Sequence, residues 1–413
     1  MKLKFFVVLS LLITLSGGVD AATSFTNAYE AIGLFTKVLE EVHRSYVDAD
    51  DAGYDELIRH ALAGMLQDLD PYSQFLDADA YEDMKDDTSG HFGGIGIVIS
   101  MKTGLLTVVS PMEGTPGFRA GILSGDIIIE VNGEETRDMG LSESVNLMRG
   151  EPNTDVSLKI LRPSTQEIEE LTITREIIEV TSVKDAEMIQ DGIGYIRITQ
   201  FNEPTADSLK KELKALIEED MRGLILDLRG NPGGLLSSAA EVAELFLPRG
   251  ELIVFTRGRN GQTDMNPFKS SGFTHYTAKD FPIVVLVNGG SASAAEIVAG
   301  ALQDHKRAML VGEKTFGKGS VQSLLPLEDG SAIKLTTAKY YTPSERIIHN
   351  NGIEPDYTVE MPIEDLFQLL MKKAQKDTEA EQLLDSESEV HDVQLDAAVG
   401  ALKGMLISRK WSQ

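Results

Sequence analysis

Residues 192–312 repeat one pattern: a short apolar run, a turn of small residues, then an amphipathic segment. The runs GIGYIRITQF, GLILDLRGNPGG, FPIVVLVNGG and AMLVGE alternate with TADSLKKELKALIEED, SSAAEVAELFL and SASAAEIVAGALQDH. Parallel strands cannot be joined by a tight turn and take a helix as their crossover, so this alternation predicts an α/β core with a mainly parallel sheet. Functional groups in such cores sit at the carboxyl ends of strands, where loops lead into helices. Two glycine-rich loops, 230–234 and 289–290, fall there.

The rest of the chain has a different character. Over residues 28–85 apolar positions recur at three- and four-residue spacing, with Pro71 as a breaker, which predicts a helical lead-in. The runs GIGIVI, LLTVVS and DIIIEVNG follow, separated by Gly, Pro and Asp turns, then a helix over about 142–149 and a strand in DVSLKILRP. That order, with GDIIIEVNG at its centre, resembles a PDZ domain. The resemblance implies an exposed sheet edge to which the carboxyl end of a peptide is added as a strand. Gly93, Gly94, Ile95, Gly96 and Ile97 would supply backbone donors there, and Val145 and Leu147 are candidates for the apolar groove. The expected regions are thus 22–85 for the lead-in, 86–178 for the PDZ-like domain, 179–360 for the α/β core, and 361–413 for a helical, charged tail.

The first residues, MKLKFFVVLSLLITLSGGVDAAT, combine Lys2 and Lys4 with an apolar run over 5–15 and small residues up to Ala21, the three parts of an export signal. An apolar run of eleven residues is about half of the ~20 that cross a bilayer. The expectation is a cleaved signal over 1–21, no stable membrane span, and an exported protein whose best-fitting destination is a bacterial periplasm. Cysteine is absent, so an oxidising compartment offers nothing to mispair, and Cys nucleophiles and Cys-based metal sites are excluded. The seven His are scattered without metal-ligand spacing, and no metal or other cofactor is expected. With 65 acidic against 38 basic residues the net charge is −27, which repels a polyanion, so no nucleic-acid partner is expected.

The segment GEKTFGK, ending at Lys318, imitates the start of a phosphate-binding loop. Such a loop needs Ser or Thr after the Lys and a helix beyond it. Here Gly319 follows, and SVQSLLPLEDGSAIKLTTAKYY reads as strand, turn, strand. Lys318 therefore calls for another role. In VNGGSASAAEI a helix starts at about Ser293, which sets its hydroxyl beside free backbone N–H groups. That setting suits a nucleophile whose product is an oxyanion, but Ser293 and Glu296 also fit an ordinary capping box. A Lys whose pKa is lowered by burial can deprotonate a Ser hydroxyl, and Gln322 is placed to accept a hydrogen bond from the amine of Lys318.

GGSASAAEI followed by GEKTFGKGSVQ, with Ser293 and Lys318 separated by 25 positions, resembles the carboxyl-terminal processing peptidases, or tail-specific proteases. DLRGNPGG, TSGHFGGIGI, GMLQDLDPYSQFL and YYTPSERIIHNNGIEPD extend the likeness over nearly the whole mature chain. The resemblance implies a Ser–Lys endopeptidase with Ser293 as nucleophile, Lys318 as general base and Gln322 positioning Lys318. It further implies an oxyanion hole from Gly233 and Ala294, and Arg149 as a regulatory residue coupling the PDZ domain to the active state. Implied partners are polypeptide substrates with apolar C-termini. The terminal helices offer surfaces for a homo-oligomer, and an activating partner protein is compatible with the same sequence. The competing reading is a PDZ-based scaffold protein whose protease activity is latent.

Overall fold

The runs Gly223–Asp227 and Ile283–Val287 are buried at every position, as strands covered on both faces must be. In the computed structural model they lie side by side at the centre of a six-stranded sheet. Its strands Val183–Gln190, Ile193–Ile198, Gly223–Asp227, Ile283–Val287, Ala308–Gly312 and Tyr357–Thr358 stand in chain order. The first pairing is antiparallel and the other four are parallel. The structure describes residues 27–411 apart from 103, 113, 164, 191, 263–266, 272–275, 277–280 and, between 363 and 390, all but Asp365 and Leu369. The expected signal over 1–21 and most of the acidic stretch of the tail lie outside the described residues.

Both faces of this sheet are covered. On one, Leu224, Leu226, Ile283, Val285 and Leu310 pack against the helices Thr205–Glu218, Leu236–Glu244 and Ala294–Asp304. On the other, Ile225, Val284, Leu286 and Val311 meet Ala398, Val399 and Leu402 of the terminal helix Val393–Trp411. A β-carbon on Gly223 would lie 2.9 Å from the Leu402 side chain, so the helix sits directly on that strand.

A buried charge cluster fixes the same helix. Arg229 bonds Asp227 and, through both terminal nitrogens, the Asp392 carboxylate at 2.8 Å, with Gln394 Oε1 at 3.1 Å. The Tyr195 hydroxyl donates to the second oxygen of Asp227 at 2.6 Å; burial, first, and the Asp227 charge push the phenol far above its ordinary range.

The remaining sheets are antiparallel, so the parallel arrangement belongs to the central sheet and the sheet content as a whole is mixed. Ser320–Pro326 and Ala332–Tyr341 form a hairpin that continues into Leu252–Gly258. A further sheet runs in the order Ile97–Lys102, Leu105–Pro111, Ile127–Val131, Asp155–Arg162, Glu167–Thr174 around a core that includes Leu106, Ile128, Val156 and Ile160. Its first strand is an edge.

The chain divides into two compact units between Leu69 and Asp70. In the first, Ala28–Ser45 and Tyr54–Gln67 are helices, and His43 stacks on Tyr54 at 4.0 Å. In the second, the lead-in is not wholly helical. Gln74–Leu76 is a strand paired with Ala332–Lys334, and helix Ala78–Ser89 follows. Three residues beyond a Pro turn carry no periodic signal, and only pairing with a distant strand makes them extended.

Asp392→Ala leaves a buried guanidinium short of a partner. It is expected to lower unfolding stability by about 3 kcal/mol in urea titrations, the usual size for breaking a buried ion pair.

Candidate active site

Glu296 is fully buried in the first turn of helix Ala294–Asp304, where a carboxylate is tolerated only if its oxygens are filled. Four donors fill them. Oε1 accepts from Thr315 Oγ1 at 2.5 Å and Gly317 N at 2.7 Å; Oε2 accepts from Ser293 N at 2.8 Å and Lys318 N at 2.9 Å. One oxygen thus joins the backbones of Ser293 and Lys318, which come from loops after two adjacent parallel strands. Burial outweighs these bonds and holds the carboxyl above its ordinary value.

Ser293 caps the helix with φ 54° and ψ −114°, a conformation that β-carbon-bearing residues avoid and that costs about 1–3 kcal/mol. Its hydroxyl makes no capping bond to the helix, and the side chain is half-buried. The Ala294 N–H, next in line, has no acceptor among the described residues. Gly233 lies against Ser293. With φ 107°, it would place a β-carbon 2.7 Å from that of Ser293, so glycine is required there. The Gly233 N–H donates to Asn231 Oδ1 at 2.8 Å, while Asn231 Nδ2 bonds Ile198 O at 2.8 Å. Two further bonds stitch the loops: Ala292 N to Asn231 O at 2.9 Å and Ser291 Oγ to Leu228 O at 2.7 Å.

Lys318 is half-buried. Its amine sits 4.8 Å from the centroid of the Tyr72 ring. Burial, and then the charge of Lys334, lower its pKa below the ordinary lysine value. Lys334 is itself lowered by burial. No hydrogen bond joins the Lys318 amine to Ser293 or Gln322 among the described residues; the Gln322 amide donates to Ser320 Oγ at 2.9 Å and Thr336 Oγ1 at 3.4 Å. The Tyr340 hydroxyl donates to the Lys318 carbonyl. Gly319 is fixed by crowding, since a β-carbon there would lie 2.3 Å from His349 N.

The peptide-binding candidates fall around the edge strand. Gly93 and Gly94 are paired with Ile177 and Glu176, Ile95 is buried, and Ile97 opens the edge strand Ile97–Lys102. Gly96, with φ 72°, turns the chain into it. Leu147 packs against the core of this sheet and Val145 is half-buried. Arg149 stands at the end of helix Leu141–Met148, stacks on Phe92 at 4.5 Å, and pairs with Asp83 at 3.1 Å and Asp87 at 3.5 Å on helix Ala78–Ser89. No group of three His, Asp or Glu among the described residues is arranged to hold a metal ion, and no described helix is long and apolar enough to cross a membrane.

Sequence reasoning weighed Glu296 only as a cap and did not reach Tyr340, Tyr72, Lys334 or Asn231. Glu296 carried a signal in its spacing from Ser293, because a capping-box Glu whose helix is buried on all sides has to satisfy a second set of donors. The others carried none, since long-range pairing alone brings them to the site.

A model described as Peptidase family S41 matches residues 192–359, and one described as PDZ domain matches residues 107–162. A carboxy-terminal-processing protease of Bartonella bacilliformis is 44% identical over 341 residues, covering 82% of this chain and 77% of that protein. A carboxyl-terminal-processing protease of Synechocystis sp. is 42% identical over 309 residues, covering 73% and 71%. Carboxy-terminal processing protease CtpA of Bacillus subtilis is 38% identical over 356 residues, covering 86% and 74%. A serine-bearing helix start tied to a lysine loop, a PDZ domain, and likeness over most of the length agree: the chain belongs to the carboxy-terminal processing proteases of peptidase family S41, a family of serine peptidases.

Proposed function

We propose that this enzyme is an exported endopeptidase that captures the carboxyl-terminal tail of a polypeptide on its PDZ domain and cleaves with Ser293 and Lys318. The observation that carries the reading is the single oxygen of Glu296 that accepts both Ser293 N and Lys318 N. It sets a strained serine at a helix start beside a half-buried lysine, the pairing that amine-activated acyl transfer needs.

In this reading neutral Lys318 takes the proton of Ser293 as its Oγ attacks the scissile carbonyl. The oxyanion is met by the Ala294 N–H, free at the helix start, and by the Gly233 N–H once it leaves Asn231. Lys318 then gives the proton to the leaving amine, and the acyl-enzyme remains. Water attacks the ester next, Lys318 taking its proton and returning it to Ser293 Oγ. Gln322 would turn to the amine to orient it in these steps. An apolar tail would add as a strand to the open edge of Ile97–Lys102, with Gly93 to Ile97 and the residues around Val145 and Leu147 receiving its end. Arg149, bridging helix Leu141–Met148 to Asp83 and Asp87, is the candidate relay. Lys2, Lys4 and the apolar run over 5–15 support export.

Three bonds favour an enzyme that rests inactive until a tail or partner arrives: Gly233 N is occupied by Asn231, and Gln322 is turned to Ser320 and Thr336. Residues 22–413 with an unfolded substrate ending in apolar residues test the reading directly. Ser293→Ala and Lys318→Ala should each lower hydrolysis at least about a thousandfold with the fold intact. Retained cleavage in either would exclude the assignment.

Lys318 acts as a base only when neutral, so kcat should rise with pH as it deprotonates, with a midpoint below the ordinary value of about 10.4. Lys334→Met removes a neighbouring positive charge, makes the ammonium easier to keep, and should move that limb to higher pH, by about one unit or less. Glu296→Gln turns one acceptor oxygen into a donor facing other donors. It should lower kcat about a hundredfold through misplacement of Ser293 and Lys318, with KM changed little.

A further inference from the structure

The acyl-transfer steps leave one aromatic face without a role. The Tyr72 ring lies beneath the Lys318 amine at 4.8 Å, a separation at which the negative face of a ring attracts an ammonium and offers little to a neutral amine. The ring is firmly placed. Asp70 Oδ1 accepts from Tyr72 N at 2.8 Å and Ser73 N at 2.9 Å, Asp70 Oδ2 accepts from Ser73 Oγ at 2.9 Å, and Ser73 Oγ accepts from Thr336 N at 3.1 Å. Burial would raise the Asp70 carboxyl, but the hydrogen bonds hold it below its ordinary value, so this anchor stays ionised. Gln74–Leu76 then pairs with Ala332–Lys334, which locks the turn to the strand that also carries Tyr340.

The other groups facing Lys318 do not retain its amine. Lys334 repels the ammonium, Tyr340 bonds the Lys318 carbonyl, and Glu296 bonds the Lys318 N–H. No carboxylate pairs with the amine among the described residues. Building on the Ser–Lys reading, we infer that Tyr72 is a positioning residue that clasps the Lys318 ammonium in the resting enzyme and releases the neutral amine toward Ser293. The same backbone continues into helix Ala78–Ser89, whose Asp83 and Asp87 hold Arg149. Clasp and peptide-binding domain therefore share one short run of chain.

The test reads Lys318 without needing turnover. Lysines of residues 22–413 carrying Ser293→Ala are reductively methylated with ¹³C-formaldehyde, the Lys318 signal is assigned by Lys318→Arg, and its titration is followed by NMR. Tyr72→Leu should lower the midpoint by about half a pH unit, because only the charged form loses an attraction. Tyr72→Phe, which keeps the face, should hold the wild-type midpoint. Tyr72→Met serves as the face-free variant if the leucine protein does not fold. With Ser293 restored, Tyr72→Leu should cleave a peptide lacking an apolar tail several-fold faster than the Phe variant. A face-free variant that titrates like the wild type, or Phe and Leu variants that shift together, overturns the proposal. A midpoint that moves as expected in a chain that cleaves no substrate leaves the clasp standing and removes the proteolytic reading instead.

Discussion

Everything at this site depends on a carboxylate with no access to water. Glu296 has no exposed surface, and its two oxygens accept four donors from four residues. An ion in that position would be prohibitive if left unpaired, so the loops that supply the donors are drawn to it. The helix start that bears Ser293 and the loop that bears Lys318 are thereby fixed to each other more firmly than either is to solvent. Thr315 extends the arrangement outward: its hydroxyl donates to Glu296 and accepts from Ile353 N at 2.7 Å. That brings in the segment that closes the central sheet.

Around this anchor, the groups to which the proposed mechanism assigns roles are held by other bonds. Asn231 is fully buried and ties Ile198, Gly233 and Ala292 together, which sets the height of the glycine loop beside Ser293. That service to the fold consumes the Gly233 N–H. Tyr340 holds the carbonyl of Lys318, while the lysine amine faces an aromatic ring. The backbone frame is assembled, while the contacts that the proposed proton transfer would use are not.

The alternation of apolar runs and amphipathic segments made the central sheet and its covering helices legible, because both periods are written locally in the sequence. The loops bearing Ser293 and Lys318 were singled out by a family resemblance and by a Glu at capping distance, and the structure joins their backbones through that Glu. The strand Gln74–Leu76 was not, nor was Tyr72, since three residues after Pro71 become a strand only by pairing with Ala332–Lys334. Lys334 reads as one charge on an alternating strand, and nothing in its neighbours says that it faces another lysine. The direction of the Gln322 amide depends on Ser320 and Thr336, two hydroxyls whose position is set by the twist of a hairpin. The terminal helix was expected as a helix. Its seat on the sheet comes from Gly223, which leaves room for Leu402, and from the buried Arg229 that Asp392 completes.

The edge strand Ile97–Lys102 has a second consequence. An edge open enough for the proposed capture of a tail is equally able to receive the same edge of another molecule, and Val98 and Met101 are exposed on it. Paired edges of that kind grow into aggregates. The ladder beneath is irregular between Val98 and Ile99, which bends the edge away from a flat template. The net charge of −27 adds a long-range term, because two copies approaching edge to edge repel one another while a single extended tail carries little of that charge. The acidity of the surface thus protects an edge that the proposed capture needs open.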